Sequence, residues 1–288
     1  MSDLMSLLFE TNAFKICQEN NPFWYTSGKI GPYFVNADFL YGSEDASKEF
    51  LDFIDNQLAN EEKINIPANL FDKVLDQYEK NDIFKFVVYS LLEYIKNNID
   101  VNSIDYISGG ERRDWYFSTI VAYLLGKPHV TIFKDLTTVA STCDFEESNI
   151  VTSIANKNFL HIADLLNQGS SYEKSWIPAI YNLGSTIMWS VVVVDRLEGG
   201  TEVLSNLGIS SFSLLQIDEN LFNKALELNI INEAQLQMLK DFQKSPDDSM
   251  RLFLLTHPEF IENSLNSDNP KTVKRVTECL EKNIYNLD

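Results

Sequence analysis

Apolar positions fall into three regimes along the 288 residues. Residues 4–19 predict a helix. Residues 22–42 are rich in aromatics, Gly and Pro without a helical period, and predict strands and loops. Residues 44–99 then settle into helical spacing three times: Phe50, Leu51, Ile54 and Leu58; Leu70, Val74, Leu75 and Tyr78; Phe84, Val88, Leu91, Leu92 and Ile95. Pro67 suits the first turn of the second of these helices. From residue 104 short apolar runs alternate with helical stretches. Strands are predicted over 104–108, 129–133, 159–163, 187–194 and 212–217. Helices are predicted over 116–125, ended by Gly126, and around 172–183. The tail, 218–288, reads as helical, with a capping box at Asn232 and Gln235, caps before proline at Ser245 and Asn269, and one stripe of Val273, Val276, Leu280 and Ile284.

Continuous apolar strands separated by helices predict an α/β fold, a parallel sheet covered on both faces. Ligands of such sheets bind beyond the carboxyl ends of the strands. Four loops leave strands at that end, after Ser108, Phe133, Ala163 and Val194, and their convergence predicts a single site. The richest is NFLHIADLLNQGSS at 158–171. An apolar strand there delivers Asp164 and then a short loop, Asn167, Gln168, Gly169, Ser170 and Ser171, whose free backbone N–H groups and following helix suit an anion.

Charge and composition narrow the class. The apolar and charged fractions, 44% and 23%, are those of a globular chain, and no apolar stretch is long enough to span a membrane. The N-terminus lacks the basic start of a secretory signal, and Cys17, Cys143 and Cys279 are too scattered for a disulfide framework or a zinc site; a cytoplasmic setting is expected. With 23 Lys and Arg against 42 Asp and Glu the net charge is −19, which argues against a nucleic-acid or anionic-membrane partner. It also requires any anionic substrate to find a locally basic site. Only five arginines are present, and Arg112, Arg113 and Arg196 sit in Gly-containing segments beside strands. Their plain alternative role is to pair with Glu111, Asp114, Asp195 and Glu198. His129 and His161, each flanked by apolar residues within strands, read as satisfied polar groups rather than ligands, and no metal site is predicted.

Three segments in order, SGKIGPYFVN at 27–36, FLHIADLLNQGSS at 159–171 and VVVVDRLEGG at 191–200, together resemble a divergent branch of the orotate phosphoribosyltransferases. ISGGERRDWYFSTIVAYLLGKPHVTIFKD, from residue 107, lies where that family has its diphosphate loop, a helix and the strand leading to its catalytic loop. The resemblance covers roughly residues 10–42 and 104–217. It implies a type I phosphoribosyltransferase-like parallel sheet flanked by helices. An N-terminal hood (1–43), a helical insert (44–100), the core (101–217) and a helical C-terminal extension (218–288) are expected to pack as one globular unit.

The implied reaction transfers phosphoribosyl from 5-phosphoribosyl diphosphate (PRPP), with Mg²⁺, to orotate, giving orotidine 5′-monophosphate and diphosphate, in a homodimer. Position by position, Lys29, Tyr33 and Phe34 would line the orotate pocket and Arg196 would bind the orotate carboxylate. Asp164 would hold the ribose hydroxyls and Asn167 to Ser171 the 5′-phosphate. Arg112 and Arg113 would face the diphosphate, and Lys134 would open a flexible catalytic loop. The pattern departs from the family in three places. Ala163-Asp164 replaces a pair of carboxylates, Asn167-Gln168-Gly169-Ser170-Ser171 replaces a Thr-Thr-Gly-Gly-Ser run, and residues 135–156 contain no Lys, Arg or His. Two other readings stand beside the enzyme: a phosphoribosyltransferase for another base, and a non-catalytic or regulatory PRPP- or nucleotide-binding paralogue.

Overall fold

The computed structural model describes residues 3–18 and 21–287. Helix formation at the N-terminus stops early. The Asp3 carboxylate accepts from the Ser6 N–H at 2.8 Å and starts a helix, Leu4–Glu10, that ends at Thr11. Asn12 takes a left-handed conformation (φ 59°), and Phe14–Ile16 is a strand, β1. The helix expected over 4–19 is therefore corrected: the backbone of 14–16 is committed to a ladder with residues far along the chain, which local spacing does not reveal. Residue 19 lies outside the described residues.

Contacts divide the chain into two compact units, Phe14–Val35 with Glu219–Asp288, and Met1–Ala13 with Asn36–Asp218. In the smaller one β1 pairs antiparallel with β4 (Tyr33–Val35), and β2 (Phe23–Trp24) with β3 (Ile30–Gly31). Among the described residues its helices are Glu219–Glu227, Glu233–Lys244, Pro246–Thr256, Pro258–Leu265 and Pro270–Glu281. The capping box forms at Asn232, whose side chain accepts from the Gln235 N–H at 2.9 Å while Gln235 accepts in return at 3.1 Å. Asn269 caps the last helix through the Lys271 N–H at 3.0 Å. Ser245 does not cap; its hydroxyl donates to the Asp248 carboxylate at 2.6 Å. Leu280 leaves the expected apolar stripe and is 42% exposed, whereas Val276 is fully buried.

The larger unit is built on a seven-stranded sheet: β5 (Tyr106–Gly110), β6 (His129–Ile132), β7 (Thr138–Ser141), β8 (Ser148–Ile150), β9 (Asn158–Leu166), β10 (Thr186–Asp195) and β11 (Ser210–Gln216), in the order β11-β10-β9-β5-β6-β7-β8. The five strands foreseen in the sequence run parallel. Residues 191–194 of β10 are fully buried, as two covered faces require. β7 and β8 are additional and antiparallel. They occupy the stretch expected to be a flexible loop.

The helix Trp115–Leu125 follows β5 and is apolar all round. Its first eight residues are buried, which a helix tolerates only between two layers. The sheet lies on one side and the helices Ile66–Lys80 and Asp82–Asn98 of the insert on the other. The insert also holds the added hairpin. The Phe145 ring, 2% exposed, stacks on Phe71 with centroids 4.5 Å apart and planes at 11°. Lys63 donates to Thr137 at 3.0 Å and pairs with the Asp135 carboxylate.

Candidate functional site

A cavity of about 320 Å³ opens at the carboxyl ends of β5, β6 and β9 in the larger unit. Its framework is set by glycines. A Cβ on Gly110 would come within 2.3 Å of the Trp176 ring, and one on Gly109 within 2.1 Å of the Ser118 hydroxyl, so the two ends can approach only as glycines. After β9 the chain turns through Gly169 in a left-handed conformation (φ 75°). The Gly169 carbonyl accepts from the N–H groups of Tyr172 and Glu173 at 3.0 and 3.2 Å, which starts the next helix. Gly200 braces the turn by donating its N–H to the Asn167 carbonyl at 2.9 Å. The backbone N–H groups of residues 168–171 accordingly sit in a turn and first helical turn, where no intrahelical acceptor is available. Tyr172, next in the chain, is buried, with its hydroxyl hydrogen-bonded to Ser190 at 2.6 Å.

Of the residues singled out from sequence, Lys134, Arg112, Arg113, Asp164 and Asn167 to Ser171 line this cavity together. The three cations are engaged. Arg112 pairs with Asp55 of the helix Glu44–Asn60, the Arg113 Nε lies 3.1 Å from Asp38, and the Lys134 Nζ lies 3.7 Å from Glu111. The Lys134 backbone N–H also donates to Glu111, at 3.1 Å. Arg196 is not among the lining residues; its guanidinium pairs with Glu198 at 2.8 Å. That turn is held by Asp195, which accepts from the Leu197 N–H and the Thr201 hydroxyl, both at 2.8 Å. Lys29, Tyr33 and Phe34 belong to the smaller unit. There Lys29 pairs with Asp247 at 2.7 Å, and Tyr33 is buried against Phe14 and Phe242 at centroid distances of 5.1 and 5.5 Å. Phe34 packs on Phe23 and Tyr25 at 4.8 and 5.3 Å.

Sequence reading gave Asp114 no role beyond that of a counter-ion to an arginine. It is instead a buried clamp. One carboxylate oxygen accepts from the Gly110 N–H at 2.9 Å, the other from the Asp164 N–H at 3.1 Å, so one side chain ties the end of β5 to the end of β9. The His161 Nε2 lies 3.5 Å from the same carboxylate, and its Nδ1 is 3.0 Å from the Ser108 hydroxyl. The signal available in the sequence was an aspartate opening a helix too apolar to be exposed. His129 has both ring nitrogens partnered, by Thr131 at 3.1 Å and Ser118 at 3.0 Å; burial, reinforced by the charge of His161, depresses its pKa to about 3.

The electrostatics centre on Asp164. Burial, then the charges of Asp114 and Asp38, push its carboxyl well above the ordinary range, with Arg113 opposing. Burial alone would lower Arg113, but Asp38 and Asp164 outweigh it and raise the guanidinium further. Backbone donors over a glycine turn, with three cations and three carboxylates around them, together suit a phosphorylated sugar better than an acyl or peptide substrate. No cluster of metal-binding side chains occurs among the described residues, and no helix there is long and apolar enough to cross a membrane.

The chain is 25% identical over 162 residues to the orotate phosphoribosyltransferase of Sulfolobus acidocaldarius, covering 56% of this chain and 76% of that one. Among solved structures it is similar to the orotate phosphoribosyltransferase of Aeropyrum pernix, with TM-score 0.51 and 17% identity over 77% of this chain and 98% of that one. The chain has the type I phosphoribosyltransferase fold, and its sequence is similar, at low identity, to orotate phosphoribosyltransferases. It is also similar to Leishmania donovani UMP synthase, with TM-score 0.55 and 14% identity over 83% of this chain; it spans 41% of that longer protein. No protein-family model matches the chain. The first two of these relatives are named orotate phosphoribosyltransferases, which are enzymes.

Proposed function

We propose that the chain transfers the phosphoribosyl group of PRPP to orotate, yielding orotidine 5′-monophosphate and diphosphate for pyrimidine nucleotide synthesis. The observation that carries this reading is the meeting of the glycine turn, Asp164 and three cations on one cavity. The backbone N–H groups of 168–171 would hold the 5′-phosphate and Asp164 the ribose hydroxyls. Arg112, Arg113 and Lys134 would leave Asp55, Asp38 and Glu111 to take the diphosphate. Displacement at the anomeric carbon builds positive charge on the ribose and negative charge on the leaving diphosphate, so positioning and charge stabilisation suffice. Orotate attacks through a ring nitrogen as an anion and needs no general base. Arg196 would bind its carboxylate in a planar two-pronged contact.

Mg²⁺ fits the donor set. It binds through few protein carboxylates plus substrate phosphates, and Asp164 lines a cavity that has no dedicated ligand cluster among the described residues, where Asp114 is engaged by two backbone N–H groups and Glu111 by Lys134. Bound with PRPP it would neutralise charge on the departing diphosphate. A cytoplasmic homodimer completes the reading.

A second reading, PRPP or nucleotide binding without turnover, is favoured by one feature. The segment after Lys134 is a hairpin with Asp144, Glu146 and Glu147 at its turn and its Phe145 ring buried. Loss of a well-placed charge stabiliser costs about 10²–10³ in rate. Incubation with orotate, PRPP and Mg²⁺, following orotate loss by absorbance, decides between them. Product that disappears in Arg196→Ala supports the orotate enzyme; PRPP binding by calorimetry without product supports the second reading. Turnover of a different base would move the specificity, not the class.

A further inference from the structure

The smaller unit holds a cavity of its own, about 530 Å³, and none of its lining residues is shared with the first. Its walls come from β2, β4 and the last two helices. Phe23 and Phe34, both partly exposed, meet at 4.8 Å and present ring surface along one side. Behind them Trp24 stacks on Phe260 at 5.6 Å and 17°, and its indole N–H donates to the Ser264 hydroxyl at 2.8 Å, so this wall is rigid. Arg275 also lines this cavity. One guanidinium nitrogen donates to the Trp24 carbonyl at 2.8 Å, which fixes the fork in place. Among the described residues Arg275 forms no ion pair, whereas Arg112, Arg113 and Arg196 each have a carboxylate. In a chain with 42 acidic residues and a net charge of −19, Arg275 is the half-buried arginine without a carboxylate among the described residues; the exposed Arg251 also lacks one and donates to the carbonyls of Tyr285 and Asn286. It retains its charge and most of its planar donors for an anion. Asn263 and Thr272 add neutral hydrogen-bonding groups, and among the described residues Glu259 is the one carboxylate on the lining.

We propose that this cavity is a binding site for a flat heteroaromatic anion, of the class of a nucleoside monophosphate. The ring would lie on Phe23 and Phe34, its anionic group on Arg275, and sugar hydroxyls on Asn263, Thr272 and Glu259. The volume is in the range of small-molecule sites, and stacking plus one charged fork is how such ligands are held. Phe34 belongs to the segment that the orotate reading gives to the acceptor base. On that reading, occupancy here would alter acceptor affinity, and the coupling would be reciprocal.

The test is calorimetric titration of the full chain with uridine 5′-monophosphate at saturating PRPP, in the native protein and in Arg275→Gln, with inorganic phosphate as a second titrant. The nucleotide is expected to bind the native protein despite PRPP. Arg275→Gln should weaken it at least about tenfold with PRPP affinity unchanged, and phosphate alone should bind far more weakly. Phe23→Leu, which keeps the volume and removes the stacking face, should weaken the nucleotide too and guards against misfolding of the arginine variant. Complete displacement of the nucleotide by PRPP, or equal affinity in both variants, would overturn the proposal. Failure of PRPP itself to bind would sink the reading of the first cavity instead, and the variants titrated without PRPP would still decide this one.

Discussion

Asp164 lies where ligand binding and stability pull in opposite directions. Its carboxyl is raised by burial and by Asp114 and Asp38, so the folded chain binds a proton at pH values where the unfolded chain has lost it. Any stabilisation is therefore complete below the ordinary carboxylate pKa and is lost as pH rises through the raised value. Above that raised value the ionised carboxylate, held beside Asp114 and Asp38, is a net burden. Asp164→Asn is expected to raise the thermal midpoint there while weakening PRPP binding at least tenfold; a lower midpoint would show that Arg113 outweighs the two carboxylates. His129 carries the opposite sign. Its folded pKa is about 3, so between the ordinary 6.5 and that value the unfolded chain binds more protons. Stability is full above about pH 6.5 and falls as the pH falls through that window. Replacing the ring by glutamine, His129→Gln, should flatten the decline of thermal midpoint between neutral and acidic pH, and an unchanged slope would remove His129 as its cause.

At the level of elements, legibility followed how locally each one is specified. The parallel strands were readable because strands covered on both faces are continuous apolar runs, and Gly126 stops its helix in the left-handed conformation that glycine favours (φ 64°). The short strand at Phe14 was not, because its partner lies about twenty residues away at Tyr33–Val35 and nothing in its own spacing encodes that ladder. The hairpin β7-β8 was hidden for a similar reason. Its strands are only four and three residues long, and its anchor is a single aromatic, Phe145, whose partner Phe71 lies in a helix of the insert. Likewise the glycine turn and the arginines of the cavity stood out by composition, whereas Asp114 did not: its function rests on two backbone N–H groups fifty-four residues apart in the chain, at 110 and 164. The hairpin's anchor makes a definite prediction. Phe145→Ala should cost about 3 kcal/mol or more of stability, as for other buried Phe truncations. Amide exchange across residues 138–150 should rise well beyond the change seen in the central strands β9 and β10. Uniform acceleration would mean that the ring supports the whole unit and not the hairpin in particular.

On the scale of the whole molecule, charge sets how a polyanionic sugar phosphate can arrive. The chain carries −19, and the lining of the first cavity does not reverse this: Arg112, Arg113 and Lys134 are matched by Glu111, Asp114 and Asp164. With Asp38 and Asp55 already holding two of the arginines, the cavity offers donors in the right places but no long-range positive funnel. Repulsion then dominates beyond the contact distance and attraction within it. Salt acts unequally on the two, since the Debye length shrinks from about 30 Å at about 0.01 M to about 8 Å at about 0.15 M while close, half-buried pairs are screened much less. The association rate of PRPP, followed by stopped-flow fluorescence, should therefore rise several-fold over that salt range, the reverse of a steered encounter. The dissociation rate should change less. A rate that falls with salt would mean that the arginines release their carboxylates before the ligand arrives and that the open cavity is locally positive. In that case Asp55→Asn, which frees Arg112 permanently, would leave the rate unchanged instead of increasing it.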